Sequence, residues 1–70
     1  MEITVNGESQ LIDEHTATIT GLLEIRKVES PEMVAVQLNG KFVELNSYPT
    51  TALTNGDDVE FLFFMGGGSR

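Results

Sequence analysis

Residues 33–45 read MVAVQLNGKFVEL, and this stretch decides the fold. Two apolar runs, rich in β-branched and aromatic side chains, flank the pair Asn39-Gly40. Such runs favour β-strands. An Asn-Gly pair between them is typical of a tight hairpin, because both residues tolerate a positive φ. The stretch therefore predicts two antiparallel strands joined at Asn39-Gly40.

The same turn signal occurs near the start of the chain, where Asn6-Gly7 separates residues 3–5 (ITV) from residues 9–12 (SQLI). We predict a second hairpin there. Residues 46–54 carry a proline and several threonines, and predict a loop or a short helical turn. The turn at residues 55–58 (NGDD) then leads into the last strand.

Helical spacing is found in residues 18–28, TITGLLEIRKV. Three apolar side chains at i, i+3 and i+4 share one helix face: Ile19, Leu22 and Leu23. Thr18 is suited to cap the N-terminus, and Arg26 and Lys27 suit the negative end of the helix dipole. Arg26 also interrupts the apolar stripe, so we expect its stem along the core edge and its charged head in water.

Residues 59–64, VEFLFF, predict the last strand. Side chains alternate along a strand, so a solvent-facing Glu60 sends three others into the core: Val59, Phe61 and Phe63. Leu62 and Phe64 then lie beside Glu60 on the outer face, where two large apolar side chains predict a docking patch. A strand buried on both faces would show the same pattern.

The predicted elements follow the order β-β-α-β-β-β, with one helix against one mixed sheet, which is an α+β fold. Seventy residues suffice for one domain with a modest core. We expect residues 1–65 to form this domain and residues 66–70 to form a flexible glycine tail.

Composition argues against several functions. The chain has no cysteine and one histidine, His15, so thiol catalysis and clusters of Cys or His ligands are excluded. A net charge of −7 argues against nucleic acid and favours attraction to a basic partner surface. There is no signal-peptide pattern and no long apolar stretch. We expect a cytoplasmic monomer that binds neither nucleic acid nor a membrane.

The acidic pairs Asp13-Glu14 and Asp57-Asp58 do not suggest catalysis by this chain. Adjacent side chains on an extended strand point to opposite faces, which is poor geometry for paired carboxylates. We interpret both pairs as solvated turn residues and His15 as a loop histidine, and we do not expect an enzyme.

Residues 65–70, MGGGSR, follow the last strand directly. Glycine has no Cβ, so this tail can enter a channel too narrow for other residues, and three glycines span about 10 Å when extended. We predict that the tail carries a terminal carbonyl into a partner's active site. A frayed terminus or an added linker are the alternatives.

These motifs together resemble the ThiS family of sulfur carriers, which are ubiquitin-like β-grasp proteins. The resemblance rests on TxxxLL at residues 18–23, VxLNG at residues 36–40, GDxV at residues 56–59 and the terminal glycines. It implies a mixed sheet of about five strands, with the first and last strands parallel at the centre and one main helix packed across one face.

The resemblance also implies a chemistry. In this family an E1-like partner adenylates the C-terminal glycine carboxylate with ATP, and the product becomes a thiocarboxylate that donates sulfur. ATP and Mg²⁺ would bind to that partner, so no cofactor is expected on this chain. Carried over by position, Gly68 is the adenylated residue, with Gly66 and Gly67 as its tail. The expected partner-binding patch comprises three apolar residues: Leu62, Phe64 and Met65.

Ser69-Arg70 extend beyond the family's terminal glycine pair. While they remain, Gly68 carries no free carboxylate, so we expect a precursor that a metal-dependent peptidase of the deubiquitinase type trims. Alternatively, the functional end is Gly67, or Ser69-Arg70 are not native.

The resemblance favours the thiazole of thiamine as the destination of the sulfur, with a thiazole synthase as the accepting partner. Cysteine or homocysteine synthesis and molybdopterin synthesis are the alternatives. Two other classes are a ubiquitin-like protein modifier and an interaction domain that docks through Leu62 and Phe64 without tail chemistry. Removal of Gly67 and Gly68 would leave the function of such a domain intact and abolish that of a carrier.

Overall fold

The structure is a computed structural model that describes residues 1–63. Within these residues, five strands and one α-helix follow the predicted order. The strands are β1 (Glu2–Val5), β2 (Glu8–Leu11), β3 (Val34–Leu38), β4 (Lys41–Val43) and β5 (Asp58–Phe63), and the helix is α1 (Ile19–Ile25). Short 3-10 helices occupy Glu14–Thr16, Pro31–Met33 and Leu45–Ser47, and the last of these confirms the helical turn predicted after the second hairpin.

The strands form one mixed sheet with the order β2-β1-β5-β3-β4. β5 lies at the centre. It runs parallel to β1, with Val5 opposite Val59, and antiparallel to β3, with Val36 opposite Phe61. The predicted α+β fold, with the first and last strands side by side in the middle of the sheet, is confirmed.

Both predicted hairpins turn at their Asn-Gly pairs. The φ angles are 52° at Asn6 and 84° at Gly7, and 53° at Asn39 and 86° at Gly40. Two successive positive φ values define the turn whose twist matches that of the flanking strands. The paired residues therefore set the register of both hairpins.

The two asparagines also connect their hairpins to the central strand. The side-chain Oδ1 of Asn6 accepts a hydrogen bond from the backbone N–H of Phe61 at 2.8 Å. On the other side of β5, the Oδ1 of Asn39 accepts one from the N–H of Asp58 at 2.9 Å. One residue type thus supplies both the turn conformation and a partner for a β5 amide.

The helix begins as predicted and ends earlier than predicted. The Thr18 hydroxyl oxygen accepts a hydrogen bond from the N–H of Gly21 at 3.0 Å, which caps the first turn. The predicted apolar face is buried: Ile19, Leu22 and Leu23. The sequence pattern extended to Val28, but α1 ends at Ile25.

The early end has a local cause at Lys27, whose φ of +59° reverses the chain. The N–H of Val28 donates to the carbonyl of Leu23 at 2.9 Å, and the N–H of Lys27 donates to the carbonyl of Glu24 at 3.0 Å. These two bonds form a Schellman motif, which satisfies the last helix carbonyls. Glycine is the usual residue at this position, so a lysine here gives no sequence signal that the helix ends.

The core lies between α1 and one face of the sheet. Each fully buried aliphatic side chain contributes about 1.5–3 kcal/mol relative to an exposed one. Tyr48 closes one end of the core, and its hydroxyl donates to the carbonyl oxygen of Val34 at 2.8 Å. The buried members are Ile3, Val5, Ile12, Ile19, Leu22, Leu23, Val34, Val36, Tyr48, Leu53, Val59 and Phe61.

Candidate functional site

The candidate site lies at the end of β5, because this central strand leads directly toward the glycine tail. The last described residue of the strand is Phe63. Five residues of the predicted site and patch lie outside the described residues: Phe64, Met65, Gly66, Gly67 and Gly68. The expected boundary between domain and tail, at residues 65 and 66, lies outside them as well.

The predicted inward orientation of alternate β5 side chains is confirmed for Val59 and Phe61. Val59 is fully buried and Phe61 is 5% exposed, as the alternation around Glu60 requires. The prediction that Phe63 lies in the core is wrong, because half of its surface is exposed. Phe63 does point to the inner side of the sheet, where its ring meets the Phe61 ring edge-on at 6.3 Å. It lies past the end of the core, beside the residues that follow α1.

Leu62 points to the outer face, as predicted, and is 44% exposed. Directly paired residues project to the same face of a sheet. Leu62 therefore shares this face with Ala35, its partner on β3. Gln37 lies two residues further along β3 on the same face, and its partner on β4 is Phe42, which is 66% exposed. We call these three side chains the outer apolar patch: Ala35, Phe42 and Leu62.

Sequence reasoning found one member of this patch and missed Ala35 and Phe42. The signal was present in the second hairpin, where the Asn39-Gly40 turn places Val36 opposite Val43 on the inner face. Alternation then sends Phe42 outward. Only the pairing of β3 with β5 brings Phe42 and Leu62 onto one surface.

One acidic side chain borders the outer apolar patch. Glu60 lies two residues before Leu62 on the same face of β5, and its pairing partner is Gln37. Asp58 precedes Glu60 on the same strand, farther from Leu62, and accepts a hydrogen bond from the Thr4 hydroxyl at 2.9 Å. Because Thr4 pairs with Asp58, Glu2 lies on this face at the end of β1 that is distant from Leu62. An apolar patch next to a carboxylate is complementary to a partner surface that carries apolar and basic side chains.

The acidic turn residues have structural hydrogen bonds. Asp13 accepts from the N–H of His15 at 2.9 Å and caps the first 3-10 helix. Asp57 accepts from the N–H of Thr54 at 2.8 Å and from the side-chain amide of Asn39 at 3.1 Å. Partial burial would raise the pKa of Asp57, but these hydrogen bonds outweigh it and hold the pKa below its ordinary value.

Within residues 1–63, no three carboxylate or imidazole side chains are grouped closely enough to hold a metal ion. In the same range, α1 has seven residues, and no helix has the length and apolar character needed to span a membrane.

A five-stranded mixed sheet with a central parallel pair, and one helix packed across it after the first hairpin, defines a ubiquitin-like β-grasp domain. In this class the last strand lies at the centre of the sheet. The chain belongs to the ThiS family, whose model matches residues 1–68.

Solved structures of high similarity come from Geobacter metallireducens. The crystal structure of its thiamine biosynthesis protein (ThiS) is 43% identical in sequence, with a TM-score of 0.80, and the match covers 97% of this chain and 100% of that one. The solution structure of a thiamine biosynthesis protein from the same organism has a TM-score of 0.77 at 43% identity, over 97% and 88% of the two chains.

A curated relative from Paramagnetospirillum magneticum, named thiazole synthase, is 36% identical over 69 residues. The match covers 99% of this chain and 21% of that protein. The chain therefore spans about a fifth of the length of the curated relative that it matches.

Proposed function

We propose that this protein is a sulfur carrier for the thiazole of thiamine, and that the carboxylate of Gly68 carries the sulfur. One observation supports this most strongly: the family match runs through the central strand and ends at Gly68. A rigid body that continues from its central strand into glycines is suited to present a chain end to an enzyme.

The proposed chemistry needs no catalytic group on this chain. A carboxylate is a poor electrophile, so it first attacks the α-phosphorus of ATP, which forms an acyl adenylate and releases pyrophosphate. Hydrosulfide then attacks the acyl carbon, the bond to the AMP oxygen breaks and AMP leaves, so that a thiocarboxylate results without any redox step. An E1-like partner would bind ATP and Mg²⁺ and perform both steps. This chain acts as a protein cosubstrate.

We assign the outer apolar patch, together with Phe64 and Met65, to the contact with the activating partner. Phe42 and Leu62 are exposed, and Leu62 lies on the strand that leads to the tail. Exposed apolar clusters of this kind mark interaction sites. The carboxylate of Glu60 beside the patch would attract a basic side chain on the partner and help to align it before contact.

We further propose that the active form ends at Gly68, after a peptidase removes Ser69-Arg70. Adenylation requires a free α-carboxylate, and Gly68 has none while the last two residues are attached. A mass spectrum of the protein from its host tests this step. Loss of both residues is expected, and a chain that stays intact while thiamine is being made would contradict it.

The thiazole assignment draws support from the relatives. Two similar solved structures are thiamine biosynthesis proteins. A protein named thiazole synthase contains a segment similar to nearly the whole of this chain. A carrier-like segment within such a synthase is consistent with sulfur delivery to thiazole formation, and a separate thiazole synthase is the accepting partner we propose here.

The decisive experiment uses a chain that ends at Gly68, incubated with the activating enzyme, ATP and a sulfur donor. Intact mass measurement should show an acyl adenylate and then the exchange of one oxygen for sulfur. The full chain ending at Arg70 and a chain ending at Gly67 are matched controls and should remain unmodified. If the Gly68 chain never becomes adenylated, the proposal fails; if only the Gly67 chain reacts, the assignment to Gly68 is wrong.

A further inference from the structure

A groove opens on the inner side of the sheet, at the end of β5 opposite the outer apolar patch. Its volume is about 380 Å³, and it is lined by residues 26–30, Met33, Val34 and Phe63. We call it the Phe63 groove. It lies where the chain leaves α1 through the Lys27 turn, so the helix does not cover this end of the sheet.

The floor of the groove is apolar and partly open to water. Phe63 is 50% exposed and Met33 is 42% exposed. Val34 is buried beside them, and Val28 packs against the core. An aromatic ring and a flexible thioether side by side form a surface that can adapt to an apolar side chain of a partner.

The rim of the groove carries positive charge, in contrast to the rest of the molecule. The sequence has four Lys and Arg residues against eleven acidic ones. Residues 1–63 contain three of the four, and two of these, Arg26 and Lys27, line the groove. One guanidinium nitrogen of Arg26 donates to the Gln10 side chain at 3.0 Å, which orients the group without neutralising it. Glu29 is the acidic side chain of the lining.

The two surfaces at the end of β5 therefore differ in charge. Leu62 and Phe63 are consecutive, and alternation sends them to opposite faces. Leu62 belongs to the outer apolar patch, which lies next to the carboxylate of Glu60, whereas Phe63 lines the groove together with Arg26 and Lys27. A partner segment complementary to one surface carries the wrong charge for the other.

We propose that the Phe63 groove is a second docking site, which binds a segment of a partner protein that presents an apolar side chain next to a carboxylate. The apolar side chain would cover Phe63 and Met33, and the carboxylate would pair with Lys27 and the remaining donors of Arg26. The proposal concerns the folded body and goes beyond the carrier function, since it requires no reaction at the tail. A partner seated there would contact the end of β5 from the face opposite to the outer apolar patch.

The test is a selection of random peptides displayed on phage against the full chain, followed by affinity measurements on the enriched peptides. Lys27→Asn removes the charge and keeps a residue that tolerates a positive φ, so the fold is preserved. Phe63→Ser removes the apolar floor at an already exposed position. We expect enriched peptides that combine Asp or Glu with Leu or Phe, and binding at least about tenfold weaker to each variant.

Two matched variants complete the test. Lys41→Asn removes an exposed cation on β4, away from the groove, and Phe42→Ser disrupts the outer apolar patch. Both should bind the enriched peptides within about twofold of the unchanged protein. Enrichment of peptides without carboxylates, loss of binding in Phe42→Ser, or equal binding to Lys27→Asn would each overturn the proposal, as would failure to enrich any peptide.

Discussion

The Asn6 side chain extends the pairing between β1 and β5 by one hydrogen bond, through its 2.8 Å contact with the N–H of Phe61. The backbone N–H of Asn6 donates to the carbonyl of Val59 at 2.9 Å, so one residue bonds to β5 twice. β1 ends at Val5. The side chain therefore satisfies a central-strand amide that the backbone of β1 no longer reaches.

This contact predicts that Asn6→Gly lowers the free energy of unfolding by about 1–2 kcal/mol. Glycine adopts the positive φ of Asn6 without strain, so the turn is kept and only the acceptor is lost. Urea denaturation followed by circular dichroism measures the change. Asn6→Asp keeps an acceptor oxygen and should stay within about 0.5 kcal/mol of the unchanged protein. Equal stability of Asn6→Gly would show that the contact contributes little.

Asp57 predicts a specific pH dependence. Its pKa is held below the ordinary value of 3.8 in the folded state. The ionised group therefore stabilises the fold above pH 3.8, and this contribution is lost as the pH falls through the folded-state pKa. Asp57→Asn should be less stable than the unchanged protein at pH 7, with a difference that narrows below about pH 4.

Glu32→Gln is the control for this measurement, because Glu32 is exposed and its substitution also removes one negative charge. Denaturant unfolding between pH 7 and pH 2.5 compares the three proteins. A difference between Asp57→Asn and the unchanged protein that stays constant over this range would contradict the role given to Asp57.

The positive φ of Lys27 predicts that a glycine at this position stabilises the protein. A lysine at a φ of +59° is strained, and glycine is the preferred residue at this position of a Schellman motif. Lys27→Gly should raise the free energy of unfolding by about 0.5–1 kcal/mol. Glu24→Gly, within the same helix at a right-handed position, should lower it by about 1 kcal/mol. Thermal denaturation of both variants is sufficient, and destabilisation by Lys27→Gly would refute the strain argument.

The outer apolar patch predicts a loss of partner affinity without loss of folding. Leu62→Ser and Phe42→Ser should each raise the KM of the activating enzyme for the carrier by about tenfold, which corresponds to 1.4 kcal/mol. Pyrophosphate release during adenylation of the chain ending at Gly68 measures this effect. Leu11→Ser is the matched control, because Leu11 is 75% exposed on the same face but at the opposite edge of the sheet. A larger effect of Leu11→Ser than of Leu62→Ser would place the contact elsewhere.

The parts of the fold that the sequence predicted well are those with local causes. The turns at Asn6-Gly7 and Asn39-Gly40 depend on residues that tolerate a positive φ, and both hairpins are confirmed. Thr18 caps the helix as expected. The end of α1 was less predictable, because Lys27 occupies a position where glycine is the recognisable signal.

The candidate site was only partly predictable, because tertiary geometry determines it. Alternation predicted the face of the sheet to which Phe63 points, but the burial of its side chain depends on where α1 ends. The outer apolar patch required the pairing of β3 with β5 before Phe42 could be placed near Leu62. Gly68 and the rest of the tail remain a prediction from the residues and from the family resemblance.

The central place of β5 has a consequence for synthesis of the protein. The two hairpins do not pair with each other, and β5 fills the space between β1 and β3. A ribosome makes both hairpins first, so the core cannot close before the final strand has emerged. A prematurely terminated copy would keep two unpaired edges and be a ready target for proteolysis. Formation of the complete sheet therefore requires that β5 has been synthesised.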